Sequence, residues 1–153
     1  LYALDDIDAA AVIRAPIIIE SDVVPWQEVR PGLYEKELRA DPGTGARTWL
    51  VRLDPGMAPP FTSSSTMREG YLVEGELRHT ECFEGEARTA GYFPGGYFRR
   101  PPDTVNGGPE STAILPAVWY LHQRGAGQVT QHARCPEVTQ APAAEDQSPP
   151  ANR

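Results

Sequence analysis

The 153-residue sequence is short of positive charge, of cysteine and of long apolar runs. It has 14 Lys and Arg against 21 Asp and Glu, a formal net charge of -7, so it lacks the basic surface that nucleic acid and anionic lipid require. The longest apolar runs, at residues 17–19 and 113–121, are too short to cross a bilayer. We therefore predict one domain that binds neither nucleic acid nor a membrane.

Cysteine is scarce, because Cys82 and Cys135 are the only two in the chain and they form no CxxC pair. This scarcity argues against a disulfide scaffold and favours a reducing, cytoplasmic location. The first ten residues contain three Asp and no basic residue, so we expect no signal peptide there. The sequence thus predicts a cytoplasmic protein without disulfide bonds.

Proline and glycine are abundant instead, with 16 and 14 residues spread along the chain. Long helices do not tolerate that density, whereas short strands joined by turns do. Apolar and charged residues alternate at 33–38, and a turn at 41–45 leads to a returning strand at 48–53, which is typical of a hairpin. We therefore predict an all-β sandwich or barrel.

The pattern divides the chain into three segments. Residues 1–21 form an N-terminal extension with one short helix at 5–13 and a strand from residue 17 to 20, and residues 22–124 form the barrel. Residues 125–153 lose the apolar periodicity and end in a Pro- and Ala-rich stretch, which predicts a flexible tail. Within the barrel, Gly75 is predicted to separate two strands, and the hydroxyl-rich run 62–66 to be a loop.

Two motifs in the barrel region carry a family resemblance. In residues 55–76, Gly56, Glu69 and Gly75 match the spacing of a motif that reads Gly, five residues, His-x-His, three or four residues, Glu, about six residues, Gly. The stretch 94–99, Pro-Gly-Gly-Tyr-Phe-Arg, is similar to a second motif, Pro-x-Gly, two residues, His. The sequence resembles the cupin superfamily, in particular the small cupin domain of anti-sigma factors, which implies a cupin-type double-stranded β-helix, or jelly-roll barrel.

The positions that hold metal ligands in the family are occupied differently here. Thr62 and Ser64 stand in place of two histidines, and Arg99 or Asn106 stands in place of the third, so that Glu69 alone remains. Hydroxyl and amide groups are poor ligands for zinc, iron, nickel and copper. We therefore predict no metal and no cofactor, with a small-molecule ligand in the barrel interior.

Glu69 is the first candidate catalytic residue. The motif places it in the barrel, and a strand period of two puts it on the same face as Tyr71 and Val73. Burial there would raise the pKa of its carboxyl toward a value useful for acid–base catalysis. The alternative is a salt bridge with Arg68 or Arg99.

His79 and Arg99 complete the predicted catalytic set. His79 shares a strand face with Leu77 and Glu81, so it points into the barrel if Leu77 does, and a His–Glu pair would make a competent base. The alternative is an exposed outer face. Arg99 is predicted to stabilise an oxyanion or to pair with Glu69. Residues predicted to contact the substrate are Tyr71, Glu81, Tyr97, Asn106, Trp119, His122, Thr62 and Ser64.

These residues lead to one main functional prediction and two alternatives. The main prediction is a metal-independent enzyme that acts on an apolar, oxygenated small molecule by proton transfer, in a cyclisation, isomerisation or dehydration. The resemblance to cupins that act as cyclases and isomerases implies a place in natural-product biosynthesis. The first alternative is a non-catalytic small-molecule-binding or sensor cupin, and the second is a metal-dependent dioxygenase with the ligands His79, Glu81, Glu69 and His122. We also expect a homodimer formed through an outer sheet face.

Overall fold

A computed structural model describes residues 18–137, and these residues form a β-barrel. Its strands are β1 Gln27–Arg30, β2 Leu33–Ala40, β3 Arg47–Leu53, β4 Phe61–Ser64, β5 Arg68–Phe83, β6 Glu86–Tyr92, β7 Tyr97–Arg100, β8 Thr112–Gln123 and β9 Val129–His132. The prediction of an all-β barrel is therefore confirmed.

The structure does not confirm the helix and the strand predicted in the N-terminal extension. The predicted helix at 5–13 lies outside the described residues, and the part of the N-terminal extension that the structure describes contains only a 3-10 turn at Ser21–Val23. Residues 18–20 lie in no strand, so the strand predicted there is wrong for those residues. No helix within residues 18–137 has the length and apolar character that a membrane crossing requires.

The strands pair antiparallel in two sheets. The larger sheet has the order β1-β2-β3-β8-β5-β6, with β7 also paired to β5, and the smaller one joins β4 to β9. The predicted hairpin is β2–β3, in which Glu35 lies opposite Val51. The first half of β5 pairs with both β7 and β8, and its second half pairs with β6.

Strand β5 runs through the point at which the sequence predicts a corner. Gly75 has a φ of 87°, and a Cβ there would lie 2.1 Å from the carbonyl oxygen of Pro116, so only glycine fits without displacing β8. The pairing with β8 shifts register on both sides of this point. Gly75 is thus part of a bulged segment inside one strand of 16 residues, and the predicted break into two strands is wrong.

The core lies on the inner face of the larger sheet and is built from residues of β3, β5, β7 and β8. Trp119 packs edge-to-face on Phe98 and on Tyr92, with ring centroids 5.2 and 5.5 Å apart, an arrangement that aromatic pairs favour. The buried core residues are Trp49, Val51, Leu53, Leu72, Leu77, Phe98, Ala113, Ala117 and Trp119.

The C-terminal part of the described chain belongs to the barrel. Strand β9 pairs with β4, and Cys135 forms a disulfide with Cys82 across a Cα–Cα distance of 5.5 Å. The prediction of a tail that starts at residue 125 is therefore wrong up to residue 137, as are the predictions of a loop at 62–64 and of no disulfide. The sequence argument for a reducing compartment assumes that the two cysteines are unpaired. Because they form a disulfide, that argument no longer supports a reducing compartment.

Candidate functional site

The first half of β5 separates two environments. Arg68 and Leu72 point into the barrel, and a Cβ added to Gly70 would also point inward, 2.3 Å from the Phe98 ring, so that only the backbone of Gly70 reaches the outer groove. Glu69 and Tyr71 point to the outside, where Tyr71 is 47% exposed. The side chains of one strand therefore contribute to an interior cavity and to an outer groove.

The interior cavity has a volume of about 120 Å³. Most of its wall is apolar, and four polar side chains from β5, β7 and the loop before β8 reach into it. Its lining residues are Leu33, Val51, Leu53, Pro59, Arg68, His79, Phe98, Arg100, Asn106, Trp119 and Leu121. A few polar groups on an apolar wall are typical of a small-molecule site.

Arg68 brings a positive charge into this cavity. Its Nε donates to Oε1 of Gln123 at 3.0 Å, and the Gln123 Nε2 donates in turn to the carbonyl oxygen of Gly125 at 2.7 Å. Within residues 18–137, Arg68 makes no salt bridge. Burial, and then the nearby Arg100 guanidinium, lower the pKa of Arg68, because both disfavour its charged form.

Arg100, in contrast, has a carboxylate partner. Its Nε donates to both oxygens of Glu81, at 2.9 and 3.0 Å, and its guanidinium lies 3.5 Å from the centre of the Phe98 ring. The sequence predicts that Glu81 contacts the substrate, whereas in the structure it neutralises a cavity cation.

His79 lies beside this pair and is buried. Its Nε2 is 3.1 Å from Oδ1 of Asn106 and 3.7 Å from Oε1 of Glu81. Burial, and then Arg100, lower the pKa of His79 to about 3, so the imidazole is neutral at neutral pH. Leu77 is 1% exposed and points inward, and His79 lines the cavity, as the conditional prediction has it for His79, whereas Glu81 lies beside the cavity on Arg100.

Glu69 lies outside the barrel, which corrects its predicted position. Its Oε1 is 3.7 Å from Nε of Arg99 and 3.8 Å from a terminal nitrogen of Arg124, so the alternative of a surface ion pair with Arg99 is the one observed. Arg99 is itself exposed on this face, and both residues are separated from the cavity by the sheet.

The other predicted contact residues divide between the two faces. Asn106 and Trp119 line the interior cavity, and Tyr71, Tyr97 and His122 line the outer groove. Thr62 meets Asn106 through its backbone, and the Ser64 hydroxyl lies 3.3 Å from that of Thr66. Neither Thr62 nor Ser64 is among the residues that line the cavity.

The donor set of the cavity does not fit a transition metal. Within the described residues, no three His, Cys, Asp or Glu side chains lie together as a metal site would require. Both Glu81 oxygens accept from Arg100, and the nearby guanidinium charges would oppose a cation. The ligand set proposed for a dioxygenase is also split, because His79 lines the cavity with Glu81 beside it, whereas Glu69 and His122 line the outer groove.

Sequence reasoning missed the residues that define the cavity charge. It assigns Arg68 only as a partner for Glu69, and it gives Arg100 and Gln123 no role. The signal that was available is the strand period, because Arg68 precedes a supposed pocket residue and must therefore point to the opposite side of the sheet.

Comparison with known families identifies the chain. The profile of the ChrR Cupin-like domain family matches residues 14–115, and the chain belongs to that family. No curated protein sequence matches it.

Comparison with solved structures confirms the fold. An RmlC-like cupin from Shewanella frigidimarina NCIMB 400 is 14% identical with a TM-score of 0.62, covering 73% of this chain and 93% of its own. KdgF from Halomonas sp. is 26% identical with a TM-score of 0.52, covering 71% and 94%. Oxalate decarboxylase from Bacillus subtilis is 14% identical with a TM-score of 0.60, covering 74% of this chain and 31% of its own.

Proposed function

We propose that this member of the ChrR Cupin-like domain family binds a small organic carboxylate inside its barrel without a resident metal. The observation that carries the proposal is the position of Arg68, whose guanidinium faces an apolar cavity and makes no salt bridge within the described residues. An anion in the cavity would pair with this partly buried charge.

The energetics of burial support an anionic ligand. A cation removed from water loses its hydration, and the loss is offset only by an opposite charge or by hydrogen bonds. Gln123 accepts from Nε alone, which leaves the terminal nitrogens of Arg68 free of bonds to Gln123. Two parallel N–H donors match the two oxygens of a carboxylate.

The cavity size limits the ligand. At about 120 Å³ it is slightly smaller than an engineered cavity of about 150 Å³ that holds benzene. A carboxylate with a short apolar body fits, whereas a polycyclic ligand is too large. Asn106 accepts from His79 through Oδ1 and donates to the Thr62 carbonyl oxygen through Nδ2 at 3.3 Å, so the second hydrogen of Nδ2 is the uncharged donor that it can offer to a further ligand oxygen.

Calorimetric titration with a panel of small carboxylates, each matched to its uncharged amide, tests this proposal. At least one carboxylate should bind, its amide should not, and Arg68→Met should weaken binding by about 100-fold, the scale of a charge-assisted bidentate contact. Arg88→Met is the matched control, because Arg88 is 57% exposed beside Glu86 on the surface. Equal affinity for acid and amide, or an unchanged affinity in Arg68→Met, would contradict the proposal.

Proton-transfer catalysis is the second candidate, favoured by the distance of 3.7 Å between His79 and Glu81. In the free protein His79 is a weak base, because its pKa is about 3. A bound carboxylate would raise this pKa toward a catalytically useful value by favouring the imidazolium.

Deuterium exchange separates catalysis from binding even when the product is unidentified. A carboxylate that binds should acquire deuterium at its acidic carbon position in D2O, as seen by NMR, and His79→Gln should abolish the exchange while binding persists. Binding without exchange in the wild type would leave a non-catalytic binding module or sensor.

A further inference from the structure

We propose that the outer groove is a second ligand site, and that it binds a neutral sugar. The groove has a volume of about 370 Å³ and is lined by Glu69, Gly70, Tyr71, Tyr97, Tyr120 and His122. It lies on the opposite side of the sheet from the cavity, so this inference does not depend on the proposed function.

Three tyrosines form a row across the groove. Tyr71 on β5 lies directly opposite Tyr97 on β7 and Tyr120 on β8. Their exposures are 47, 59 and 41%, so the rings are available to a ligand. Since neighbouring strands lie about 4.8 Å apart, the row extends over about 10 Å. This is a continuous aromatic surface on which the apolar face of a pyranose ring can pack.

A polar row runs beside the tyrosines. Glu69 lies directly opposite both Arg99 on β7 and His122 on β8, and Nδ1 of His122 is 3.0 Å from the Thr48 hydroxyl. The two arginines near Glu69 are at 3.7 and 3.8 Å, beyond hydrogen-bonding distance. The carboxylate oxygens of Glu69 therefore remain able to accept hydrogen bonds from a ligand.

The charges around the groove select the class of ligand. Glu69 lines the groove, whereas Arg99 and Arg124 do not, so an anion in the groove would meet the Glu69 carboxylate and a cation would compete with the two arginines for it. A purely apolar molecule would remove Glu69 from water without replacing its hydrogen bonds, which is unfavourable. A neutral polyhydroxylated ring supplies hydroxyl donors to Glu69 and an apolar face to the tyrosines.

The concave shape favours a small molecule over a protein surface. A groove with convergent polar groups is typical of ligand sites. A second copy of the chain could occupy the groove only if its own apolar surface matched the shape of the groove. The competing occupant is a second copy of the chain, in the predicted homodimer through an outer sheet face. The homodimer predicts that the mass in solution doubles as the protein concentration rises.

A glycan array of neutral oligosaccharides, with the full chain as the probe, tests this site. At least one glycan should bind, and both Tyr71→Ala and Glu69→Gln should lower its signal by about tenfold or more. Phe83→Ala is the matched control, because Phe83 is an aromatic residue 54% exposed at the far end of the same strand, and it should keep the signal.

Three outcomes would overturn the inference. One is that no neutral glycan binds above the Tyr71→Ala background, and another is that the signal survives in both groove variants. The third is that the mass measured by sedimentation doubles as the protein concentration rises and that Tyr71→Ala abolishes this doubling. That result would assign the tyrosine row to a dimer interface. The near-ultraviolet circular dichroism of each variant confirms that it is folded.

Discussion

The cavity and the groove receive alternate residues of the same strand, and their chemistry is nearly opposite. Arg68 points into a space of about 120 Å³ with apolar walls, where its charge is desolvated and makes no salt bridge within residues 18–137. Glu69, its neighbour, points into an open groove of about 370 Å³, where two exposed arginines and solvent accompany it.

The difference shows that environment, more than residue type, decides which charge is informative about function. A surface ion pair contributes little to stability and is weak evidence for function, because water screens both groups. A cation that lines an apolar cavity without a salt bridge, as Arg68 does among the described residues, is a better indicator of an anionic ligand. The family motif selects Glu69 as the candidate functional residue, whereas the environment of the side chains selects Arg68.

The largest effect is expected from the disulfide, which fixes the C-terminal end of the described chain to the end of β5. Cys82 and Cys135 are 53 residues apart, and closing a loop of that length is worth about 4 kcal/mol in the chain-entropy account. Cys135→Ser should lower the free energy of unfolding by about that amount in urea titrations. Wild type in reductant should match the variant, and equal stability of oxidised wild type and variant would show that the bond does not contribute.

The next effect separates the two faces of β5 by stability. Leu72 is 0% exposed and Val73 is 44% exposed. Leu72→Ala should cost about 3 kcal/mol, because it leaves a cavity in the core, whereas Val73→Ala should cost less than about 0.5 kcal/mol. Comparable losses in the two variants would mean that the outer face is covered by another surface.

The buried histidine should make stability depend on pH. Because the pKa of His79 is about 3 in the folded protein and near 6.5 in the unfolded chain, the unfolded state binds more protons between these values. Stability is therefore fully present above about pH 6.5 and falls on acidification, by about 2 kcal/mol from pH 7 to pH 5. Unfolding measured at both pH values should show this loss reduced in His79→Gln, and an equal loss in that variant would contradict the burial of His79.

The smallest effect is expected at Glu69. Its ion pairs are with arginines that are 59 and 63% exposed, so Glu69→Gln should change the free energy of unfolding by less than about 1 kcal/mol. Carboxylate binding in the cavity should not change either. A loss of several kcal/mol would indicate that this carboxylate is buried, for instance in a dimer.

The strand period allowed relative positions to be predicted, but not which face is inside. Tyr71 and Val73 do share a face with Glu69, and Leu77 shares one with His79 and Glu81. The sequence at 71–73 is apolar throughout, so alternation gives no signal there. Between 72 and 77 the register shifts place Leu72 and Leu77 on the same side despite an odd separation, and such bulges cannot be read from polarity.

The C-terminal errors have a different cause. Three of the four residues of β9 are exposed, so this edge strand carries no apolar alternation to detect, and its stability comes from pairing with β4 and from the disulfide. Two cysteines far apart in sequence reveal their pairing only once β5 and the segment after β9 are placed side by side.

We propose above that Arg68 holds a carboxylate inside the barrel. The most direct measurement is a crystal structure of the protein with the tightest-binding carboxylate of the panel, at a concentration close to its solution Kd. Both carboxylate oxygens should lie within hydrogen-bonding distance of the Arg68 guanidinium, with the apolar body between Leu53 and Trp119. A carboxylate bound at Arg99 or Arg124 on the outer face, with the cavity holding water alone, would contradict it.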